Sequence, residues 1–352
     1  MIKLPEKTLS LKLEKGMYGD AQRLSKTEKK HISFSSFLER LDPTEPKYPL
    51  DAFERQLARF GIVTKGEQIS LVEDFYKTYE SAVLFPEFIN RNVLIGYKFG
   101  KNELKIDDLI ALTEYIDGVV FNPTCAVDST EEEEIYQVGE MGEFPCTTIS
   151  VAPKPVKAIK VGRRLKASYE VLRRMQIDLL ALHLQIIGLK MQRAMTKWAL
   201  DVFVNGDGNI NPAPTQNIET PGALKYNDLV DFELDFAALG FEKTHMVGTT
   251  AIVKDILKME EFKDVVAGFN FQATGNMVSP FGDILRFHPS TPANKILGWD
   301  QKSHLEIIKE RGAQLTETER IIDKQFEQVV ISDVLGISKI FTNAGRILII
   351  VY

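Results

Sequence analysis

Ser168–Asn205 reads SYEVLRRMQIDLLALHLQIIGLKMQRAMTKWALDVFVN and contains no proline. Within it Leu180, Leu184, Ile187, Met191, Met195, Trp198 and Val202 step three or four residues at a time, the spacing of one helix face. Lys190, Arg193, Lys197 and Asp201 keep the same step on another face, so the C-terminal half is amphipathic. The half from Leu179 to Leu189 is apolar almost all round, which predicts a helix packed on several sides. A helix from Gln176 to Val204 would be about 43 Å long at the helical rise per residue. Asn205-Gly206-Asp207-Gly208 ends it, because glycine adopts the left-handed conformation a C-terminal cap requires. Such a strut, with Leu184, Ile187, Met191, Met195 and Trp198 as its structural spine, suits a broad, thin subunit.

Immediately upstream the charge changes sign along the chain. Asp128, Glu131, Glu132, Glu133, Glu134, Glu140 and Glu143 occur with no base between them. Lys154, Lys157, Lys160, Arg163, Arg164, Lys166, Arg173 and Arg174 follow, with Glu170 the single acid among them. The β-prone run Phe144–Val151 separates the two blocks and is closed by Pro153 and Pro155. Tyr136 to Leu165 therefore reads as a long two-stranded excursion, acidic going out and basic coming back. A lone hairpin is marginal in water, so it wants a partner surface, and arms of opposite sign suit registration against a neighbour. The plainer reading is a solvated hairpin whose exposed ion pairs contribute little. Candidate intersubunit contacts are Glu131, Glu132, Glu133, Glu134, Lys154, Lys157, Lys160, Arg163 and Arg164.

Residues 1–49 are polar and locally basic, with Lys3, Lys7, Lys12, Lys15, Arg23, Lys26, Lys29, Lys30 and Arg40 outnumbering the acids. This predicts a solvated extended terminus, or an arm lying along another subunit or near nucleic acid. Leu50–Phe60 and Ile69–Tyr79 read as short helices, Leu84–Arg91 as an apolar docking segment punctuated by Pro86, and Asp107–Tyr115 as a short helix or strand. Beyond the strut, Pro212, Pro214 and Pro221 mark a linker. A mixed region follows: helices Tyr226–Leu239 and Thr250–Met259, and strands Thr244–Gly248, Asp283–His288 and Lys295–Trp299. The chain ends in strands Phe326–Leu335, Ile337–Phe341 and Arg346–Tyr352, the last so apolar that it must lie inside a sheet.

Composition sets bounds. With 44% apolar and 26% charged residues, the 352-residue chain has ordinary globular composition. A net charge of −6 argues against a dedicated nucleic-acid binder. Cys125 and Cys146 are too few for a disulfide framework or a zinc site. IKLPEKTLSLKLEK at the start lacks the apolar core of a signal peptide, and no run approaches a membrane span, so a soluble protein with no membrane partner is expected. No phosphate-binding glycine loop, zinc-protease motif or nucleophile elbow is present, and His31, His183, His245, His288 and His304 lack metal-ligand spacing. Asn205–Asn209 superficially matches the start of a calcium loop but lacks its downstream glutamate, so a helix-stop turn is expected. Nothing here builds an active site; neither enzymatic activity nor a cofactor is expected. An α/β enzyme centred on 220–315 is the rival from another class, but its longest loop, Gly268–Pro280, offers no nucleophile–base pair.

YQVGEMGEFPCTTISVAPKPVKAIKVGRRLKASYEVLRRMQID, from Tyr136 on, with the closing KWALDVFVNGDGN, resembles the extended loop and spine helix of tailed-bacteriophage major capsid proteins. In that Hong Kong 97-type family an acidic stretch leads out along the loop. A basic strand returns through a segment like Lys166–Leu172, and the spine helix ends in a turn like Asn205–Gly208. Met246–Ala251 and Lys295–Asp300 resemble the strand-to-helix step and late strand of the family's axial domain. The resemblance spans Leu84 to Tyr352 and implies an α+β capsid fold. Its expected divisions are an N-terminal extension or arm (1–84), the N-arm and start of the peripheral domain (85–127), and the extended loop (128–165). The spine helix (166–219), the axial domain (220–315) and the C-terminal strands (316–352) complete it. The first ~80 residues exceed the family pattern, leaving a cleaved scaffolding segment or a retained arm.

The resemblance further implies a non-enzymatic shell subunit that forms pentamers and hexamers around packaged double-stranded DNA, in a virion capsid assembled in the host cytoplasm. Scaffolding and portal proteins are implied partners, and a cement protein a possible one. Some members of the family cross-link loop lysines to asparagines; no partner asparagine can be assigned to Lys154 or Lys157. An encapsulin-like cellular shell around protein cargo is the alternative on the same fold.

Overall fold

The computed structural model describes residues 4–28, 32–46, 49–126, 138–142, 149–222, 224–263, 277–279, 281–321, 323 and 325–350. Glu131, Glu132, Glu133 and Glu134, most of the acidic outgoing arm and most of the 268–280 loop lie outside them.

The first stretch of the chain departs from the expected extended arm. It forms α1 (Glu6–Ser10), α2 (Gly16–Thr27) and α3 (Phe34–Leu41), and α4 (Ala52–Arg59) follows where a short helix was expected over Leu50–Phe60. Ser33 caps α3 through the amide of Ser36, and Asp51 and Glu54 make a reciprocal capping box at α4. Phe34, Leu38, Phe53 and Leu57 come off these helices, and Leu13 off the link between α1 and α2, into a common core. Lys7, Lys12, Lys15 and Lys26 are exposed, whereas Arg55 is turned inward and buried against Asp42.

A 3-10 turn (Val72–Tyr76), where a longer helix was expected, leads into α5 (Tyr79–Tyr97). The expected proline-punctuated docking segment is the middle of this helix, with Pro86 inside it. Proline in a helix costs about 3 kcal/mol. Val83, Leu84, Phe85, Phe88, Ile89 and Val93 are all buried on α5, and each gains about 1.5–3 kcal/mol from burial, so packing wins.

Short α6 (Ile106–Leu109) runs into β1 (Ile110–Ile116). There follow β2 (Val120–Phe121), β3 (Thr124–Ala126), β4 (Ile149–Val151), β5 (Val156–Lys157) and β6 (Ile159–Ser168). The helix expected over Gln176–Val204 is α8 (Ile177–Asn205), continuous throughout; the residues before it form a separate α7 (Tyr169–Arg174), set off by extended Met175 and Gln176. No proline causes this. The Met175 carbonyl accepts from the Val72 amide and the Ile177 amide donates to Ser70, so the break pairs with the chain before α5. Gly206, at φ 88°, stops α8 as its sequence predicts.

The remainder comprises β7 (Thr215–Asn217), α9 (Tyr226–Ala238), β8 (His245–Gly248), α10 (Thr250–Lys258), α11 (Glu260–Lys263), β9 (Ile284–Phe287) and β10 (Lys295–Trp299). It closes with β11 (Leu305–Glu310), β12 (Leu315–Ile321), β13 (Phe326–Lys339) and β14 (Gly345–Ile349). The two strands expected over 326–341 are one, since Gly336 continues the ladder as the partner of Ile308.

Two sheets flank α8. In one, β13 pairs with β12 and then β11 along one edge and with β6 along the other, while β1 runs parallel to β11. The other has the order β7-β14-β10-β8-β9. Side chains alternate across this second sheet. Val247, Leu297 and Ile347 face Ala199, Leu200 and Phe203 of α8. Met246, Ile296 and Leu348 face Phe232 and Phe236 of α9 and Ile252 and Ile256 of α10. Burial on both faces is why the terminal strand reads as unbroken apolar sequence.

Helix α8 joins the cores. Its first half packs with α5 and the N-terminal helices, and its second half packs between the sheets. The line it buries deepest runs Ile177, Leu184, Gly188, Gln192, Thr196, Ala199, Leu200 and Phe203. Of the spine residues read from sequence, Leu184 lies on that line, while Ile187, Met191, Met195 and Trp198 are half-buried beside it. In the middle of that line Gly188 is required because α5 crosses there with its backbone in contact. A β-carbon on Gly188 would strike the Val93 carbonyl, and one on Gly96 the Gln185 carbonyl.

Candidate assembly surfaces

The excursion expected over Tyr136–Leu165 stands on a two-stranded stem whose outgoing side begins earlier in the chain, before the acidic block. Val120 and Phe121 pair with Lys157 and Val156, and Thr124–Ala126 pair with Val151–Ile149. The Ala158 amide donates to the Val119 carbonyl and the Ala152 amide to the Pro123 carbonyl, each at 2.8 Å. Its base is tied to the turn after α8, where Asn209 Oδ1 accepts from the Lys154 amide at 2.9 Å. Beyond these ties the stem is thin, and Val120 and Val151 are 54% and 61% exposed.

The returning basic strand is not merely half of a hairpin. β6 pairs antiparallel with β13 from Ser168↔Phe326 to Ile159↔Leu335, so it belongs to a sheet of the subunit itself. Alternation then sorts its side chains. Val161 and Leu165 turn toward the two cores, while Lys160, Arg164 and Lys166 stand exposed on the other face. Lys154, Lys157 and Arg163 are exposed as well, and among the described residues none of Lys154, Lys157, Lys160, Arg163 and Arg164 is held in an ion pair. The structure thus brings the basic candidates onto the ribbon and β6; the acidic candidates lie outside the described residues.

Two apolar features were not foreseen. Leu179, Leu182 and Ile186 of α8 are exposed, so the all-round apolar half is covered on one side only. A groove of about 730 Å³ runs between α5, α8, β6 and β13, lined in part by Leu94, Tyr97, Met191, Met195, Trp198 and Val161. Packing decides both, and nothing in the spacing separates a covered apolar face from an open one.

Charged side chains fasten the joints behind these surfaces. Exposed Arg193 of α8 donates from Nε and Nη2 to the two carboxylate oxygens of buried Glu103, at 2.5 and 2.8 Å. The Asn205–Asn209 turn is pinned to β13, since Asp207 Oδ2 accepts from the Lys339 amide and Lys339 Nζ donates to the Asn211 carbonyl at 2.8 Å. Asp207 Oδ1 is engaged by Asn209, so both carboxylate oxygens serve the turn. Burial lowers the Lys339 ammonium to about 8. Alongside, His304 is fully buried with its ring 4.3 Å from that of Phe203. Burial, aided by the Lys339 charge, holds its imidazole well below the usual range. Gly345 makes the space, because a β-carbon there would fall on the imidazole.

At the other end Glu87 of α5 is buried and accepts from the Ser35 amide and hydroxyl, and burial raises its carboxyl above the usual range. Tyr18 donates to the Val83 carbonyl and stacks on Phe34 at 4.1 Å. Among the described residues no group of three or more His, Cys, Asp and Glu gathers as a metal site, and no helix is long and apolar enough to cross a membrane.

This is the α+β Hong Kong 97-type fold of capsid subunits. In three dimensions the chain is similar to the capsid of a native GTA particle (TM-score 0.51, 15% identity), covering 72% of this chain and 94% of that one. It is similar to the capsid of cyanophage P-SCSP1u (TM-score 0.50, 11% identity, 71% and 89% covered) and to Microbacterium phage Oxtober96 (TM-score 0.50, 10% identity, 71% and 92% covered). No family profile matches the sequence, and no curated protein matches it. At these identities the likeness is one of fold.

Proposed function

We propose that this chain is a shell subunit that self-assembles through pentamers and hexamers into an icosahedral head around double-stranded DNA. The observation that carries the reading is the slender ribbon of residues 119–126 and 149–157, which shows apolar and basic side chains to solvent while standing on the fold used by particle capsids. Exposed valines on a two-stranded stem gain from a covering surface, and a copy of the same chain supplies one at every position of a closed shell.

In this reading 128–165 is the extended loop overlying an adjacent subunit, 166–219 carries the spine helix, and 220–315 is the axial domain meeting its copies at the capsomer centre. Residues 1–84 are a helical layer retained on each subunit, which the packing of α1–α4 on α5 supports. The acids Glu131–Glu134 pair with Lys154, Lys157, Lys160, Arg163 and Arg164 across the contact. Scaffolding and portal proteins are the further partners such a role entails, in a virion assembled in the host cytoplasm.

Negative-stain microscopy of the purified chain, alone and with its scaffold, tests this. Closed particles tens of nanometres across are expected, holding nuclease-protected DNA when isolated from the producing cell. Particles filled with protein and free of nucleic acid would instead establish a cargo compartment. A monomer at every concentration and with scaffold present would refute a shell role.

A further inference from the structure

Three ionisable side chains meet inside the second sheet layer, away from every surface described above. Lys243, between α9 and β8, has a fully buried side chain. Its Nζ lies 2.5 Å from Glu233 Oε2 on α9 and 3.0 Å from Asp283 Oδ2 at the start of β9. Nζ also stands over the rings of Phe232 and Phe281, at 5.3 and 5.6 Å from their centroids. Gly298 leaves room for the lysine stem, since a β-carbon there would sit 3.0 Å from Lys243 Cδ. Asp283 is equally fixed: Ser279 Oγ donates to its Oδ2 at 3.1 Å, and the Ser279 amide to its carbonyl at 2.8 Å. Glu233 alone of the three is partly open to solvent.

A buried ion pair kept for stability normally has aligned hydrogen bonds that offset desolvation. Here, despite the short distances, Nζ has no aligned hydrogen bond to any described residue. Burial raises the Asp283 carboxyl above its usual range against the pull of Lys243, and the charge of Glu233 adds to the rise. That favours the acid form, the one an amine can attack. Reacting groups held about 3–3.5 Å apart have the proximity advantage of an intramolecular reaction, and the phenyl rings keep out the water that would hydrolyse the product.

We infer that Lys243 and Asp283 condense into an intramolecular amide, with Glu233 carrying the proton. The neutral Nζ attacks Asp283 Cγ and the Nζ–Cγ bond forms. Glu233 takes the proton released from nitrogen and delivers it to the departing hydroxyl, so that the Cγ–O bond breaks and one water leaves past the exposed edge of Glu233. The step is a dehydration, and nothing is oxidised or reduced. The bond lies within one subunit and needs no assembly, so its test is independent of the shell reading.

The test is the intact mass of the denatured full chain, followed by tryptic mapping. The expected mass is one water below that of the sequence, with the peptide containing Lys243 joined to the one containing Asp283 and cleavage after Lys243 lost. Lys243→Arg and Asp283→Ala should each restore the full mass, and Glu233→Gln should leave most of the chain unjoined. The unreduced sequence mass in the unmutated chain would overturn the inference without reliance on any variant. So would a water loss that persists in Asp283→Ala, which would place it elsewhere, for example at Asp207-Gly208. Complete joining in Glu233→Gln would overturn the role given to Glu233.

Discussion

Gly188→Ala pits two effects of opposite sign against each other at the crossing of α5 and α8. In an isolated helix the change is stabilising by about 1 kcal/mol, because alanine is the better helix former. At this crossing the new methyl would be driven into the Val93 carbonyl and stand 3.1 Å from Gly96 Cα. These are backbone atoms on a facing helix, so no side chain can swing aside, and the helices must part along their length. Overpacking of this kind costs about 1–3 kcal/mol, with the upper end apt where the obstacle is backbone. The net expectation is a destabilisation of about 1–2 kcal/mol. Gly19→Ala is the matched control. It lies in α2, and a β-carbon there meets nothing within 4 Å, so the propensity gain of about 1 kcal/mol should appear alone. Urea unfolding followed by far-ultraviolet circular dichroism reads both as shifts of the midpoint, down for Gly188→Ala and up for Gly19→Ala. A Gly188→Ala chain more stable than the parent would refute the close crossing, and with it the reason position 188 of α8 is glycine.

Reversing Lys157, Lys160, Arg163 and Arg164 to glutamate should leave the melting temperature of the subunit within a few degrees, because these side chains are exposed. It should raise the concentration needed for assembly by about tenfold or more at low salt, taking roughly 0.5 kcal/mol per exposed pair; light scattering checks this, and partial rescue by Glu131–Glu134→Lys is the diagnostic arm. His304 is kept neutral in the folded chain, while the unfolded chain takes up a proton below about pH 6.5. Its contribution to stability is therefore complete above that pH and is lost as pH falls, by up to about 1.4 kcal/mol per unit. Thermal melts of His304→Gln between pH 7 and 5 should show a shallower decline than the parent, and parallel curves would argue against the buried neutral ring. Arg55→Met should cost about 3–5 kcal/mol by stranding buried Asp42, with Arg55→Met/Asp42→Leu recovering much of it; a melt unchanged by the single variant would contradict the packed N-terminal layer.

The later elements were legible because their physics is local. Helices over 226–238 and 250–258, strand Lys295–Trp299 and the glycine stop at Gly206 all stand within a residue or two of where periodicity and turn chemistry put them. The N-terminal helices were legible only in part. The helix over Leu50–Phe60 was read from its spacing, whereas Ser33 before Phe34-Ser35-Ser36-Phe37-Leu38 carries a capping signal that the lysine count obscured. Pro86 misled for the opposite reason, a strong local breaker overruled by burial on many sides.

The amino-acid order alone determined that a long helix would follow a sign-changing excursion and that the last strand would be inside a sheet. Those conclusions need only neighbours along the chain. Tertiary structure alone decided that β6 joins β13, that the buried line of α8 takes Gly188, Gln192 and Thr196 while Leu179, Leu182 and Ile186 stay exposed, and that Lys243, Glu233 and Asp283 share one pocket. Each depends on which distant segment arrives opposite, and contact free energy between segments remote in sequence leaves no periodic trace in either of them.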